Sequence, residues 1–262
     1  LMPSLVGSEM CIRDSDHTAG RKTRVWTMAR AAAETLLRAG SASFLWYSFE
    51  AGPAHVVMLC SYAAFDATSA QYKWLQRDLK SVDRTKTPWV VTAAHRPMYC
   101  SPNDDKDECH QAAVGPWHRH SFIRKGVLGK WGFEELLYRH GVDVYFGAHE
   151  HSYERFFPVY NKRFVAGPDA YVDPAATVHI TAGAGGCKEG QDPWRKEGFP
   201  YSAVRLNVYG FGLLTVGNAT HLHWEQLDAD TGAVVDRVDV VRRDGRHGPF
   251  DPADLPEYGG GA

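Results

Sequence analysis

Val142-Asp143-Val144-Tyr145-Phe146-Gly147-Ala148-His149-Glu150-His151-Ser152-Tyr153-Glu154-Arg155 begins as an apolar run, breaks at a glycine and then presents two histidines one residue apart. Residues 142–146 are β-branched or aromatic except Asp143, the composition of a strand buried on both faces. Such a strand needs a cover on each side. A helix is expected just before it, over residues 133–140, with Phe133, Leu136 and Leu137 on its inward stripe. Further upstream Trp89-Val90-Val91-Thr92-Ala93-Ala94 repeats the pattern and runs into His95-Arg96-Pro97-Met98-Tyr99. Two apolar strands separated by a helix predict an α/β fold, a sheet covered by helices. Open sheets of this kind bind ligands at the carboxyl ends of their strands.

Outward from this centre, residues 44–49 and 55–60 read as two strands joined through Ala51-Gly52-Pro53. A helix is expected over 71–82, with Tyr72, Leu75, Leu79 and Val82 inward and Lys73, Arg77, Asp78 and Lys80 in water. The Ala-rich stretch 21–38 is expected to be helical by propensity. Beyond Arg155 the pattern changes to strands at 177–181, 203–208, 211–216, 221–226 and 234–241, mostly antiparallel, with a turn at Asp228-Ala229-Asp230-Thr231-Gly232. Residues 1–15 read as translated sequencing adapter. Its Met-Cys-Ile-Arg-Asp is what a transposase adapter encodes, and Leu-Val-Gly-Ser-Glu stands upstream in the same frame. Residues 16–242 are expected to form one domain portion, and 243–262, rich in Gly, Pro and Asp, a flexible tail.

A chain of 262 residues with 44% hydrophobic side chains is long enough to bury a core. Its net charge of -2 and lack of a long basic run argue against a phosphate-tracking nucleic-acid surface. No apolar stretch approaches the ~20 residues a membrane helix needs. Cys100 and Cys109 flank a polar loop that a disulfide closes in an oxidising compartment; the alternative is two thiols. Asn218-Ala219-Thr220 is a glycosylation sequon, which favours a secretory route, although such triplets also arise by chance.

His149 and His151 are two apart in an extended segment, so both rings can face one cleft and ligate a metal. The spacing alone is weak. His221-Leu222-His223-Trp224 has it too, inside a strand whose other face carries Leu222 and Trp224, and there it reads as an exposed polar face. His95 alone reads as a packing or capping residue. Two strand-end histidine groups converging on one cleft favour ligation.

Together, Trp46-Tyr47-Ser48, Gly52-Pro53-Ala54-His55, His95 to Ser101, Ala148 to Arg155, Pro158-Val159-Tyr160-Asn161, His179 to Cys187 and Tyr209-Gly210-Phe211-Gly212 resemble the purple acid phosphatases, in order over residues 44–242. The resemblance implies a metallophosphoesterase fold of two packed mixed sheets flanked by helices, here without its N-terminal part. It also implies Fe(III) paired with a divalent Fe, Zn or Mn, in which His95 and His149 would bind the divalent metal and His151 the ferric ion. Two such metals activate a water for attack on a phosphate monoester. His118 and His120 are the candidates for the acid that protonates the leaving alcohol, with His110 a poorer one. Glu150 is read as structural or as outer support for the ligands, and Arg96 as a phosphate anchor or a loop brace. The family's other ligands come from upstream motifs, Asp-x-Gly, Gly-Asp-x-x-Tyr and Gly-Asn-His-Glu/Asp, and no such set stands ahead of His95. The chain by itself is therefore expected to be inactive and to hold at most one Zn. Small-molecule phosphate esters are the expected partners, and a secreted or lysosomal-type compartment the expected location. The alternatives are a non-catalytic phosphoesterase-like module, or a phosphodiesterase or nucleotide hydrolase of the same superfamily.

Overall fold

A computed structural model describes residues 2–3, 43–102, 123–127, 130–186, 190–245 and 247–256. The strands are β1 (Met2–Pro3), β2 (Tyr47–Ala51), β3 (Ala54–Leu59), β4 (Trp89–Ala94), β5 (Gly126–Val127), β6 (Lys130–Trp131), β7 (Val144–Gly147), β8 (Tyr153–Phe156), β9 (Val159–Tyr160), β10 (Arg163–Phe164), β11 (Val178–Ala182), β12 (Ser202–Leu206), β13 (Gly210–Val216), β14 (His221–Asp228) and β15 (Val234–Val241). Two α-helices, α1 (Ala70–Ser81) and α2 (Phe133–Arg139), complete the regular elements used below. The helix expected over 21–38 lies outside the described residues, as does all of the adapter-like opening except β1.

Seven strands form one sheet in the order β12-β8-β11-β7-β4-β3-β2. Its centre, β3, β4, β7 and β11, is parallel, β2 and β8 run antiparallel to it, and the edge strand β12 is antiparallel to β8. The second sheet, β1-β13-β14-β15, is antiparallel throughout. Of the two mixed sheets expected, only the larger is therefore mixed. Short hairpin connections, such as that from β13 to β14, can join antiparallel neighbours only.

The alternation of side chains explains why the central strands look apolar throughout. Ala54, Val56 and Met58 of β3, Trp89, Val91 and Ala93 of β4, and Val144 and Phe146 of β7 face the second sheet. There they meet Leu222, Trp224, Val238 and Val240. Val57, Leu59, Val90, Ala94 and Tyr145 point the other way, onto Trp74, Leu75 and Leu79 of α1 and Phe133, Leu136 and Leu137 of α2. Both helices lie on that one face.

Helix α1 starts at Ser69, whose hydroxyl accepts the Tyr72 N–H at 3.1 Å, a standard cap. Its buried stripe is Gln71, Trp74, Leu75, Asp78 and Leu79, rotated from the expected one, and Tyr72 and Val82 are only half-buried. Asp78 is thus not in water. It accepts from Ser48 Oγ at 2.6 Å and lies 2.9 Å from His55 Nε2, so that polar partners on β2 and β3 make its burial tolerable.

Asp143, the one polar residue in the opening apolar run, is fully buried at the amino end of β7. Its carboxylate accepts from Val90 N (2.9 Å), Arg84 Nη1 (3.1 Å) and Arg242 Nη2 (3.1 Å). Burial alone would raise its pKa, but the His247 ring, its Nδ1 3.7 Å from Oδ1, and the charges of Arg242 and Arg84 hold it below the usual carboxylate range. The clamp draws in the segment expected as a flexible tail. Where that segment is described, Phe250 and Leu255 are buried, Phe250 lies 5.3 Å from the Tyr138 ring, and Arg163 donates to the carbonyls of Pro252, Leu255 and Pro256.

Candidate metal centre

β4 and β7 are adjacent and parallel, with Val91 paired to Val144 and Ala93 to Phe146, so their carboxyl ends open side by side. His95 follows β4 at once, and His149 stands two residues beyond β7. His95 Nε2 lies 2.9 Å from His149 Nδ1, the rings edge to face at 77° with centroids 5.0 Å apart. Convergence of the two strand ends thus brings these imidazoles together.

Two glycines make this approach sterically possible. A Cβ on Gly147 would sit 2.6 Å from Pro97 Cα, so the loop after His95 packs directly on the end of β7. A Cβ on Gly183, just past β11, would sit 2.0 Å from the Glu150 carbonyl oxygen. Backbone bonds fix the rest: Ala148 N–H donates to His95 O at 2.8 Å, and the Tyr145 hydroxyl to Arg96 O at 2.7 Å. The Glu150 N–H reaches back to Ala148 O at 2.6 Å, which forces His149 into the left-handed region at φ 60°. A non-glycine residue held there costs on the order of 1–3 kcal/mol, a strain that collects at functional sites.

His151 is half-buried beside Asp192. Its N–H donates to Asp192 Oδ2, and its Nδ1 lies 4.0 Å from Asp192 Oδ1. Among the described residues no three His, Cys, Asp or Glu side chains converge in a metal-ligating group. The structure therefore joins His95 to His149, while the backbone N–H of His151 is held by Asp192, a carboxylate that no sequence pattern announced. Asp192 comes from a polar, glycine-rich stretch 41 residues downstream of His151. Glu150 is fully buried.

Glu154, three residues past His151, is buried and accepts from Ser101 N (2.8 Å), Ser101 Oγ (2.5 Å) and Ser202 Oγ (2.6 Å). Burial pushes its pKa up to about 7 despite these bonds. It pins the loop that carries His95 onward to Cys100. Cys100 is disulfide-bonded, and its partner lies outside the described residues. His110, His118, His120 and Cys109 also lie outside them. Arg96 is buried; its N–H donates to Ser61 Oγ at 2.9 Å, and its guanidinium lies over the Tyr62 ring.

His221 and His223 are on the outward face of β14, while Leu222 and Trp224 are buried beneath. His223 Nδ1 lies 2.7 Å from Asp239 Oδ1 and its Nε2 3.3 Å from Glu225 Oε1. These hydrogen bonds and the two negative charges outweigh desolvation and raise the His223 pKa. Asn218, on the turn before β14, is exposed, and its carbonyl accepts from the buried Trp89 Nε1 at 2.7 Å.

Residues 34–153 match the family model of calcineurin-like phosphoesterases, and residues 176–237 that of the iron/zinc purple acid phosphatase-like protein C region. Acid phosphatase type 7 of mouse and of human are each 40% identical over 210 residues, covering 76% of this chain and 46% of theirs. Probable purple acid phosphatase 20 of Arabidopsis thaliana is 38% identical over 202 residues, covering 77% of this chain and 42% of its own. The chain thus spans about half the length of the curated relatives it matches. A purple acid phosphatase from yellow lupin seeds superposes with a TM-score of 0.63 at 23% identity, over 75% of this chain and 32% of that one, and so shares the calcineurin-like fold.

Proposed function

Since the chain belongs to the purple acid phosphatase family, we propose that it is the carboxyl-terminal part of a metal-dependent acid phosphatase that hydrolyses small phosphate monoesters. The observation that carries this reading is the 2.9 Å approach of His95 Nε2 to His149 Nδ1 at the ends of two adjacent parallel strands. These two imidazoles would supply two of the three protein ligands that a zinc site with an open position uses, and His151 is the candidate for the third. Bound there, such an ion supplies positive charge to a phosphate oxygen.

Three imidazoles do not suit Fe(III), a hard ion that calls for anionic oxygen donors. These residues alone would not support a dinuclear step, and the chain as it stands is proposed to hold one zinc and to lack phosphatase activity. Its own contribution is positional. His95 and His149 are set by the backbone bond between their strands, and His151 is held by Asp192. Glu154 keeps the loop after His95 against β8 and β12. His118 and His120 are proposed as the groups that protonate the leaving alcohol. The disulfide at Cys100 and the exposed Asn218 sequon support a secretory compartment, with an N-glycan on Asn218.

The test is the gene sequence upstream of residue 16, followed by assay of the completed protein. The reading expects the three missing motifs there, hydrolysis of an aryl monoester at acid pH faster than of the matching diester, and loss of both with His149→Ala. An intact upstream frame without those motifs contradicts it and favours a non-catalytic module. Faster cleavage of the diester marks a phosphodiesterase instead.

A further inference from the structure

We propose that Arg205 is a positioning residue for His151: it anchors a strap, residues 190–199, whose Asp192 fixes where the His151 imidazole stands relative to the pair of His95 and His149. The inference rests on the metal-site reading above and adds to it a residue that acts on the site from β12.

Residues 190–199 form neither helix nor strand, so no backbone ladder holds them in place. Side chains and isolated backbone bonds do. Asp192 takes both backbone groups of His151: its Oδ2 accepts the His151 N–H, and its own N–H donates to the His151 carbonyl at 3.4 Å. Trp194 makes an isolated antiparallel bridge with Pro102, and the Arg195 N–H donates to Ser101 O at 3.4 Å. The strap thereby joins the loop after β7, which carries His149 and His151, to the loop after β4, which carries His95. Behind it stands β12. Asn207 Nδ2, just past that strand, donates to Asp192 O at 3.1 Å, and Arg205 Nη1 donates to Arg195 O at 3.3 Å.

The Arg205 guanidinium is fitted closely to the strap. Its carbon lies 5.5 Å from the centre of the Trp194 ring, and a Cβ on Gly198 would stand 2.8 Å from that same carbon. A cation over an indole ring, a hydrogen bond to a carbonyl and close packing on a glycine thus meet on one side chain. Without it, Trp194 and Arg195 lose this attachment to β12, and the hold of Asp192 on His151 loosens with them. Zinc tolerates only about 0.2 Å of error in a ligand distance, so a loosened His151 binds it less well. The Arg205 charge also reaches Glu154, where it opposes the rise that burial causes in the carboxyl pKa. If Arg205 served only that carboxylate, the metal would not depend on Trp194.

Zinc affinity of the full chain is measured by titration against a competing chelator, and the His151 ring is followed by histidine-selective NMR of the zinc-free chain, its signal assigned from its absence in His151→Gln. Arg205→Met is expected to weaken zinc binding about tenfold, as loss of an outer partner of a ligand does, and to shift the His151 signal. Trp194→Leu, which leaves the charge in place, acts in the same direction. Arg205→Lys keeps a cation for the Trp194 ring and a donor for Arg195 O, and stays within about twofold of wild type. Arg84→Met breaks the buried pair with Asp143 at the opposite end of β7 and controls for lost stability: it lowers the urea midpoint and leaves both readouts unchanged. Zinc affinity and a His151 signal that do not change in Arg205→Met and Trp194→Leu overturn the proposal. So does an effect confined to Arg205→Met, or an equal fall in Arg84→Met. A wild-type chain that binds no zinc overturns the metal-site reading instead, and the His151 signal of the zinc-free variants then decides the proposal by itself.

Discussion

Arg155 of the mixed sheet forks onto Asp236 of the antiparallel sheet, with Nε 2.7 Å from Oδ2 and Nη2 2.8 Å from Oδ1. Tyr153 adds its hydroxyl to Asp236 Oδ2 at 2.6 Å, and Arg155 Nη1 donates to the Tyr171 hydroxyl at 2.5 Å. Both partners of the ion pair are buried, with side-chain exposures of 8% and 9%. Breaking one side of such a pair strands the other charge, at a cost of about 3–5 kcal/mol. Asp236→Ala should lower the urea midpoint accordingly, and Asp236→Asn, which keeps hydrogen-bonding capacity, should lower it less. A loss under about 1 kcal/mol in Asp236→Ala, the range of exposed pairs, would show that the bridge contributes no more than a surface contact.

Gly147→Ala tests the contact that brings the strand ends together. Its new methyl group must displace Pro97 or the end of β7, an overpacking cost of about 1–3 kcal/mol. His95 lies two residues before Pro97, so zinc affinity should fall with stability. Thermal melting and a zinc titration with a competing chelator read both. Stability lost with zinc affinity retained would separate the contact from the site.

His179 on β11 is buried between the rings of Tyr99 and Tyr145, with centroids at 4.9 and 5.5 Å. Burial, and secondarily the charge of Arg124, push its pKa down to about 3. The unfolded chain binds a proton near pH 6.5 and the folded chain does not, so this residue's contribution is intact above pH 6.5. It is lost as pH falls toward 3. By pH 4.5 the loss reaches about 2–3 kcal/mol. His179→Phe should flatten the stability profile between pH 6.5 and 4.5, measured by urea unfolding; an unchanged slope would show that His179 does not control it.

Glu154 acts in the opposite sense. Its folded pKa, raised to about 7, lies above the ordinary carboxylate value, so its contribution is present below pH 4.5 and lost as pH rises through 7. Glu154→Gln, neutral at every pH, should remove a decline of the order of 3 kcal/mol between pH 4.5 and 8. The same unfolding series run on that variant decides it.

Much of this was legible in the sequence because its signals are local. The apolar runs of β4 and β7 are continuous since both faces are covered, and a histidine follows each within two residues, so pattern alone picked out the two imidazoles that meet. Periodicity also found α1, but placed its stripe one step off. Asp78 counts as polar in any pattern, and only the long-range partners Ser48 and His55, 30 and 23 residues away, make it an inward residue. Asp192, the Glu154 clamp and the docking of Phe250 and Leu255 were hidden for the same reason: each depends on a partner distant in sequence. The packing of the two sheets through Arg155 and Asp236 had no sequence signal beyond a charge in a strand.

The most direct test of the central claim is zinc binding to the chain itself. Elemental analysis after dialysis against trace metal should find one zinc per wild-type chain. His95→Ala and His149→Ala should weaken binding by more than about a hundredfold, beyond the cost of losing an outer partner of a ligand, while His223→Ala, on the outward face of β14, should leave it unchanged. Zinc content unaltered in His95→Ala and His149→Ala would contradict the assignment of these two imidazoles to the metal.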